Sequence, residues 1–468
     1  MTEQELQVKI DQWIEEHQEQ MIADAIQLVK IKSVSQRGEG GYPYGTGCAR
    51  VLEEALKLAK DMGFETENND YYSGTALLKG ETDRQLGVFG HLDIVPEGDL
   101  ANWDFDPYDA QLKDGYILGR GSSDNKCPAV ASLYAMKCIR DLGLPLKHSI
   151  LMYFGCEEEA GMSDIVHYLE HHGAPELSFT SDGRYSLCYG EKGILTANLT
   201  TDISGSCLVD FGGGQASNMV PDFAQAVLRG VDREELARRA PQLSVTAGEA
   251  GTVIAKAQGI AAHAAFPEGS ESAIWKLAAA LAESGLLDQK AARAVGFLAE
   301  GFRDYYGTGL HIDCADDIVG KTTAVGGMVS VRDGKLTQSL NVRYALKADQ
   351  KELMENLDKT CREHGFAVEN LKNDPPMYVD PQTPWVQVLH ETANQFLDGS
   401  YTPYVMGGGT YARKIPNAVA YGPTTRKIDA TDPLVYGEGH QPNEGMKVTD
   451  MTTGIRIYVN ALLRLDKM

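Results

Sequence analysis

The stretch from Gly87 to Val130, GVFGHLDIVPEGDLANWDFDPYDAQLKDGYILGRGSSDNKCPAV, begins as an apolar run and then sets His91, Asp93 and Asp124 among glycines, acids and turns. Further along, Glu157, Glu158 and Glu159 follow the apolar ILMYFGC, and Asp182 follows LSFTS. His440 sits late in the chain in the glycine-rich YGEGHQPNEG. Imidazole and carboxylate are the nitrogen and oxygen ligands of divalent cations, and a pair of such cations activates water for hydrolysis. Taken singly, each residue has a plainer reading: a histidine after a strand is usually just hydrogen-bonded, and a run of glutamates is usually solvated. Their shared placement, after predicted strands or in neighbouring loops, argues for the chemistry.

Positioning such groups falls to the elements around them. Strand-like TALLKG, QLGVFGHLD, HSILMYFG and ELSFTSDG alternate with helical segments, notably Pro128 to Leu142, with proline in its first turn and Gly143 after it. This alternation predicts an α/β fold, a mainly parallel sheet covered by helices on both faces. In open sheets of this kind the crevice lies at the carboxyl ends of the strands, so residues distant in sequence converge there. A helical pattern from Leu6, Ile10, Trp13 and Ile14 through Val29 opens the chain. From about Glu191 the character shifts to alternating, turn-bounded strands, GILTANLTTDISG, CLVDFGGG, GTVIAKAQGIAAH and SLNVRYALKA, with helices such as SAIWKLAAALAESG between them. The expected division is a catalytic domain over 1–190 and 385–468 with an inserted α+β domain over 191–384.

Composition narrows the classes. A chain of 468 residues exceeds one compact core. A net charge of −23 argues against nucleic acid or an anionic membrane as partner. No apolar run approaches the roughly 20 residues that span a bilayer, and the acidic, polar N-terminus is unlike a signal peptide, so a cytoplasmic location is expected. The eight cysteines form no C-x-x-C pair and read as reduced, mostly buried thiols.

GHLDIVP, GRGSSDNK, EEEAG, TSDG, GIAAHAAFPEG, GGGTYAR and GEGHQPNE, in that order, resemble the M20 family of dinuclear metallopeptidases, most of all its bacterial dipeptidase V branch. The resemblance covers nearly the whole chain. It implies that His91 and Asp182 hold one metal, that Glu159 and His440 hold the other, and that Asp124 bridges them. Asp93 would orient the His91 imidazole. The family pattern E-E-x-G aligns with Glu158, Glu159, Ala160 and Gly161, which makes Glu158 the general base and leaves Glu157 flanking. The inserted domain becomes a lid, in which His263 stabilises the oxyanion while Asn218 and Arg343 contact the substrate's carbonyl and free carboxylate. A planar guanidinium suits the last task because its fork pairs both oxygens. MGGGTYAR offers backbone amides near Gly409 and Thr410 that glycine lets approach a substrate closely. The chain departs from the family at Cys127, where glycine is usual, and at Tyr411, where many relatives carry an acid. A cis peptide after Asp124 is also implied.

The function implied is a metallo-dipeptidase that hydrolyses dipeptides with a free C-terminal carboxylate through a hydroxide bridging two divalent cations. Zinc is expected first, with manganese or cobalt as alternatives. A monomer is expected, the long lid standing in for a partner subunit, with a dimer as the alternative. The rival functions are an aminoacylase or N-acyl amino acid deacetylase of the same fold, and a metal-dependent binding protein without turnover.

Overall fold

The apolar runs of the first 190 residues become strands kept out of water. In the computed structural model, which describes residues 2–428, 430–431 and 433–468, His148–Gly155 is buried along its whole length. A strand covered on both faces needs a continuous apolar run and not an alternation. It pairs in parallel with Thr82–His91, which pairs in parallel with Leu177–Thr180, which pairs in parallel with Ala418–Ala420. Ser73–Leu78 and Glu65–Asn69 extend the sheet antiparallel on the other side. The helix Cys127–Asp141 packs on the central strands and on the helices Glu3–Val29 and Val448–Leu465, while Thr46–Asp61 and Ser163–His172 pack on Ser73–Leu78. These elements belong to one compact unit, made of residues up to Tyr189, Val379–Tyr404 and Gly409–Met468.

The second unit comprises Gly190–Tyr378 and Val405–Gly408. Its sheet is antiparallel throughout, in the order Ser244–Ala247, Thr252–Gln258, Phe223–Arg229, Leu208–Gly213, Val329–Arg332, Lys335–Tyr344, Gly193–Asp202, Ala367–Asp374. Burial alternates along Gly193–Asp202 and Phe223–Arg229, as a sheet with one covered face requires. Helix Ala273–Ser284 lies on Phe223–Arg229 and Thr252–Gln258 and packs against Gln289–Gly301.

One predicted strand, GTVIAKAQGIAAH, is two: Thr252–Gln258 and the short Ala262–His263. The break falls at Gly259, where a Cβ would lie 2.0 Å from the Glu271 carbonyl oxygen. Ala262–His263 leaves the main sheet and pairs with Met219–Val220. Among the described residues no helix is long and apolar enough to cross a membrane. The eight cysteines are free thiols, six of them buried.

Candidate active site

The parallel strands of the first unit end on the residues singled out above. Thr82–His91 delivers His91 as its last residue, wholly buried. Asp182 lies two residues past Leu177–Thr180, and the three glutamates follow the end of His148–Gly155. Asp124 comes from the irregular turn ahead of Cys127–Asp141, and the bond from Asp124 to Asn125 is cis. His440 arrives from the late loop with φ of 67°, a left-handed backbone. Gly439 beside it is required by space, since a Cβ there would lie 2.9 Å from both Cβ and Oδ2 of Asp124.

Asp124 stands between the two imidazoles. Its Oδ1 is 2.9 Å from Nε2 of His91, and its Oδ2 is 3.2 Å from Nε2 of His440. The same His440 nitrogen is 2.9 Å from Oε1 of Glu159, and Oδ2 of Asp182 is 3.8 Å from Nε2 of His91. Two groups have donor atoms close enough to share one cation: His91, Asp124 and Glu159, and His91, Glu158 and Asp182. Asp93 has a wider part than orienting His91. Nδ1 of His91 is 3.0 Å from the Asp93 carbonyl and 3.4 Å from its carboxylate, whose two oxygens accept the amides of Glu158 and Glu159 at 3.1 Å each.

Charge at this site is out of balance. Burial drives the carboxyl of Glu158 well above its usual range, and it lifts Asp182 to about 8 with help from the charge of Asp124. Burial alone would lower His440, but the carboxylates of Asp124 and Glu159 outweigh it and raise the imidazole to about 11. Oε1 of Glu158 is buried with no hydrogen-bond partner among the described residues. Five carboxylates crowd two imidazoles, and an oxygen left without a partner in such a place calls for a cation or a water. The donor set, nitrogen and hard oxygen, fits divalent metal ions.

The three glutamates separate by their partners. Glu157 is fully buried and holds Arg37, the Ser163 hydroxyl and, at 3.1 Å, the Ser163 amide. Glu159 meets His440, and Glu158 faces the cluster of His91 and Asp182.

Several residues that hold this arrangement have no metal-ligand signature of their own. Glu444, fully buried, accepts the Ser123 and Asp124 amides on Oε1 at 2.8 and 3.1 Å. Its Oε2 accepts the Gly121 amide at 3.1 Å and the Arg120 guanidinium at 2.6 Å. Asn125 donates to the Ser181 carbonyl at 2.8 Å and accepts the His91 amide at 3.3 Å, tying two strand ends to the turn ahead of Cys127–Asp141. Asp164 accepts the amides of Cys156 and Glu157 at 2.7 and 3.0 Å, and the Tyr411 hydroxyl donates to the same oxygen. Cys127 is fully buried, and burial pushes its thiol up, away from the thiolate that a metal would need.

The remaining predicted residues divide between the units. Gly409 and Thr410 lie in the first, where the Thr410 hydroxyl accepts the Ala412 amide at 3.2 Å and caps the turn Tyr411–Arg413. Asn218, His263 and Arg343 lie in the second. There the Asn218 carbonyl accepts the Ala264 amide at 2.8 Å, next to the pairing of Met219 with His263. The His263 ring is exposed, and its Nδ1 accepts the Ala265 amide at 3.2 Å. Arg343, buried near the end of its strand, donates to Oδ1 of Asn341 at 3.0 Å and to the Gly407 carbonyl at 3.1 Å.

A family profile described as "Peptidase family M20/M25/M40" matches residues 87–464. The chain is 31% identical over 466 residues to "Putative dipeptidase YtjP" of Bacillus subtilis, covering 96% of this chain and 98% of the relative. It is 28% identical over 476 residues to "Putative dipeptidase SH1171" of Staphylococcus haemolyticus, covering 97% and 98%. Among solved structures, human carnosine dipeptidase 1 matches with a TM-score of 0.60 at 16% identity over 99% of both chains. The dipeptidase Dug1p of Saccharomyces cerevisiae matches with a TM-score of 0.60 at 13% identity, again over 99% of both. At these identities the structural likeness is one of fold.

Proposed function

The chain belongs to the peptidase family M20/M25/M40 and is a hydrolase of peptide bonds, and from that premise we propose that it is a metal-dependent dipeptidase acting on dipeptides with a free C-terminal carboxylate. The observation that carries this reading is Asp124, with one carboxylate oxygen on each of two imidazoles, beside the partnerless buried oxygen of Glu158. His91 and Asp182 would hold one divalent cation, Glu159 and His440 the other, and Asp124 both. Zinc comes first by affinity, with manganese or cobalt as alternatives. Such a pair, when bound, lowers the pKa of water and polarises a carbonyl.

The chain's own groups do the rest. Glu158 takes a proton from the attacking water as the new carbon–oxygen bond forms. It then delivers that proton to the amine nitrogen as the carbon–nitrogen bond breaks. Burial favours the protonated carboxyl, so the acid form needed for the second step is within reach. Asp93 holds the Glu158 and Glu159 amides and thereby fixes where both carboxylates point.

From the second unit, His263 would donate to the developing oxyanion, Asn218 would bind the substrate's carbonyl, and Arg343 would pair with its free carboxylate. Gly409 and Thr410 would present backbone amides to the substrate. The names of the Bacillus and Staphylococcus relatives agree with a dipeptidase. A cytoplasmic monomer is the companion reading, and free thiols throughout suit a reducing compartment.

The test is amino acid release from Ala-Ala and from N-acetylalanine by protein loaded in turn with zinc, manganese or cobalt. Cleavage of the dipeptide alone is expected. Cleavage of N-acetylalanine with the dipeptide untouched would make the protein an aminoacylase, and metal uptake with neither substrate cleaved would make it a binding protein.

A further inference from the structure

The second unit contains a recess of about 390 Å³ whose lining includes Lys192, Ala265, Phe266, Tyr306, Lys321 and Gly407. That volume lies in the range of small-molecule sites. Two of the lining residues are lysines. Lys192 is largely out of water and its ammonium donates to the Lys321 backbone carbonyl, while the Lys321 ammonium lies 4.7 Å over the Tyr306 ring. The lining also has apolar residues, with Ala265 and Val319 buried and Phe266 left 67% exposed. Glu268 is the one acid in the lining among the described residues, and it accepts from the Tyr306 hydroxyl at 3.4 Å. The lining thus carries two lysines and one acid, in a chain whose net charge is −23. Burial holds the Lys192 pKa below its usual range, a cost that an incoming anion would offset.

The recess adjoins the residues assigned above to the substrate. Gly407 in its lining accepts from Arg343 at 3.1 Å, and Ala265 in its lining donates to His263 at 3.2 Å. We propose that this recess receives the side chain of the substrate's C-terminal residue and selects glutamate, whose carboxylate pairs with Lys192 and Lys321 while its methylenes lie on Phe266 and Val319. The assignment rests on the dipeptidase reading and on Arg343 as the partner of the C-terminal carboxylate.

The experiment compares kcat/KM for Ala-Glu and for its neutral isostere Ala-Gln on the metal-loaded protein. Hydrogen bonds to charged groups lead us to expect Ala-Glu to be favoured about tenfold. Lys321→Gln, at an exposed position, should bring the ratio near one, and Lys321→Glu should invert it. Lys192→Met should also lower the ratio; if it does not fold, the two Lys321 variants carry the test. Equal use of both dipeptides by the wild type, or a preference that survives in all folded variants, overturns the proposal. If no dipeptide is cleaved, the dipeptidase reading has failed separately. Calorimetric titration of Ala-Glu and Ala-Gln then reads the same ratio in Kd, and equal affinities reject the recess.

Discussion

Each unit gathers one cluster of charged side chains, and the two clusters differ in sign. In the first, Asp93, Asp124, Glu158, Glu159 and Asp182 gather where parallel strands end, and burial pushes Glu158 and Asp182 toward their neutral forms. In the second, Arg343, Lys192 and Lys321 gather around Gly407 and Ala265 on an antiparallel scaffold, with His263 exposed beside them. Proton transfer near neutral pH needs a carboxyl whose pKa has been moved, and desolvation among like charges moves it. Recognition of a carboxylate needs only a cation correctly placed. On the proposed reading, the two tasks would fall to two local clusters of opposite charge, one in each unit.

The contrast is broken most severely by removing metal. Dialysis against a chelator should abolish dipeptide hydrolysis, and added zinc, manganese or cobalt should restore it; activity that persists in metal-free protein, checked by elemental analysis, would detach the anionic cluster from the reaction. Next in size is Glu158→Gln, expected to lower kcat on the order of 10³-fold with the metal content per chain unchanged. Near-normal turnover in that variant would remove Glu158 as the base. In the second unit, Arg343→Met should cost about 10- to 100-fold in kcat/KM, mainly through KM, because the carboxylate is bound in ground and transition states alike. A loss confined to kcat would contradict that role.

What the sequence made legible follows from how each residue is placed. His91, Asp182 and the glutamate run stand out because each ends or follows an apolar strand. Their supports do not. Glu444 lies within the quoted GEGHQPNEG, yet its work is to accept amides from Ser123 and Asp124, the latter 320 residues away in sequence, and no local pattern announces that. Asp164 reads as an ordinary acid in the first turn of Ser163–His172, although it accepts the two amides that lead into the glutamates. The break at Gly259 depends on the Glu271 carbonyl, a feature of tertiary packing and not of the apolar pattern. MGGGTYAR reads as one loop but is shared, with residues through Gly408 in the second unit and Gly409 onward in the first.

The smallest expected effect concerns stability. Burial lifts the Asp164 carboxyl to about 7, and the nearby charge of Asp93 adds to it against the Tyr411 hydroxyl and backbone amides. In the unfolded chain an aspartate titrates near about 3.9. Between those values the folded protein binds the extra proton, so stability falls as pH rises from about 4 to about 7, by up to about 1.4 kcal/mol per unit from this one group. Lys192 contributes with the opposite sign: its folded pKa is lowered by burial, so the unfolded chain binds more protons and this group's own contribution to stability grows as pH rises. Urea midpoints across pH for the wild type and for Asp164→Asn isolate the share of Asp164. The variant should fall less steeply than the wild type between about pH 4 and 7, whereas an unchanged slope there would mean that Asp164 is ionised in the fold.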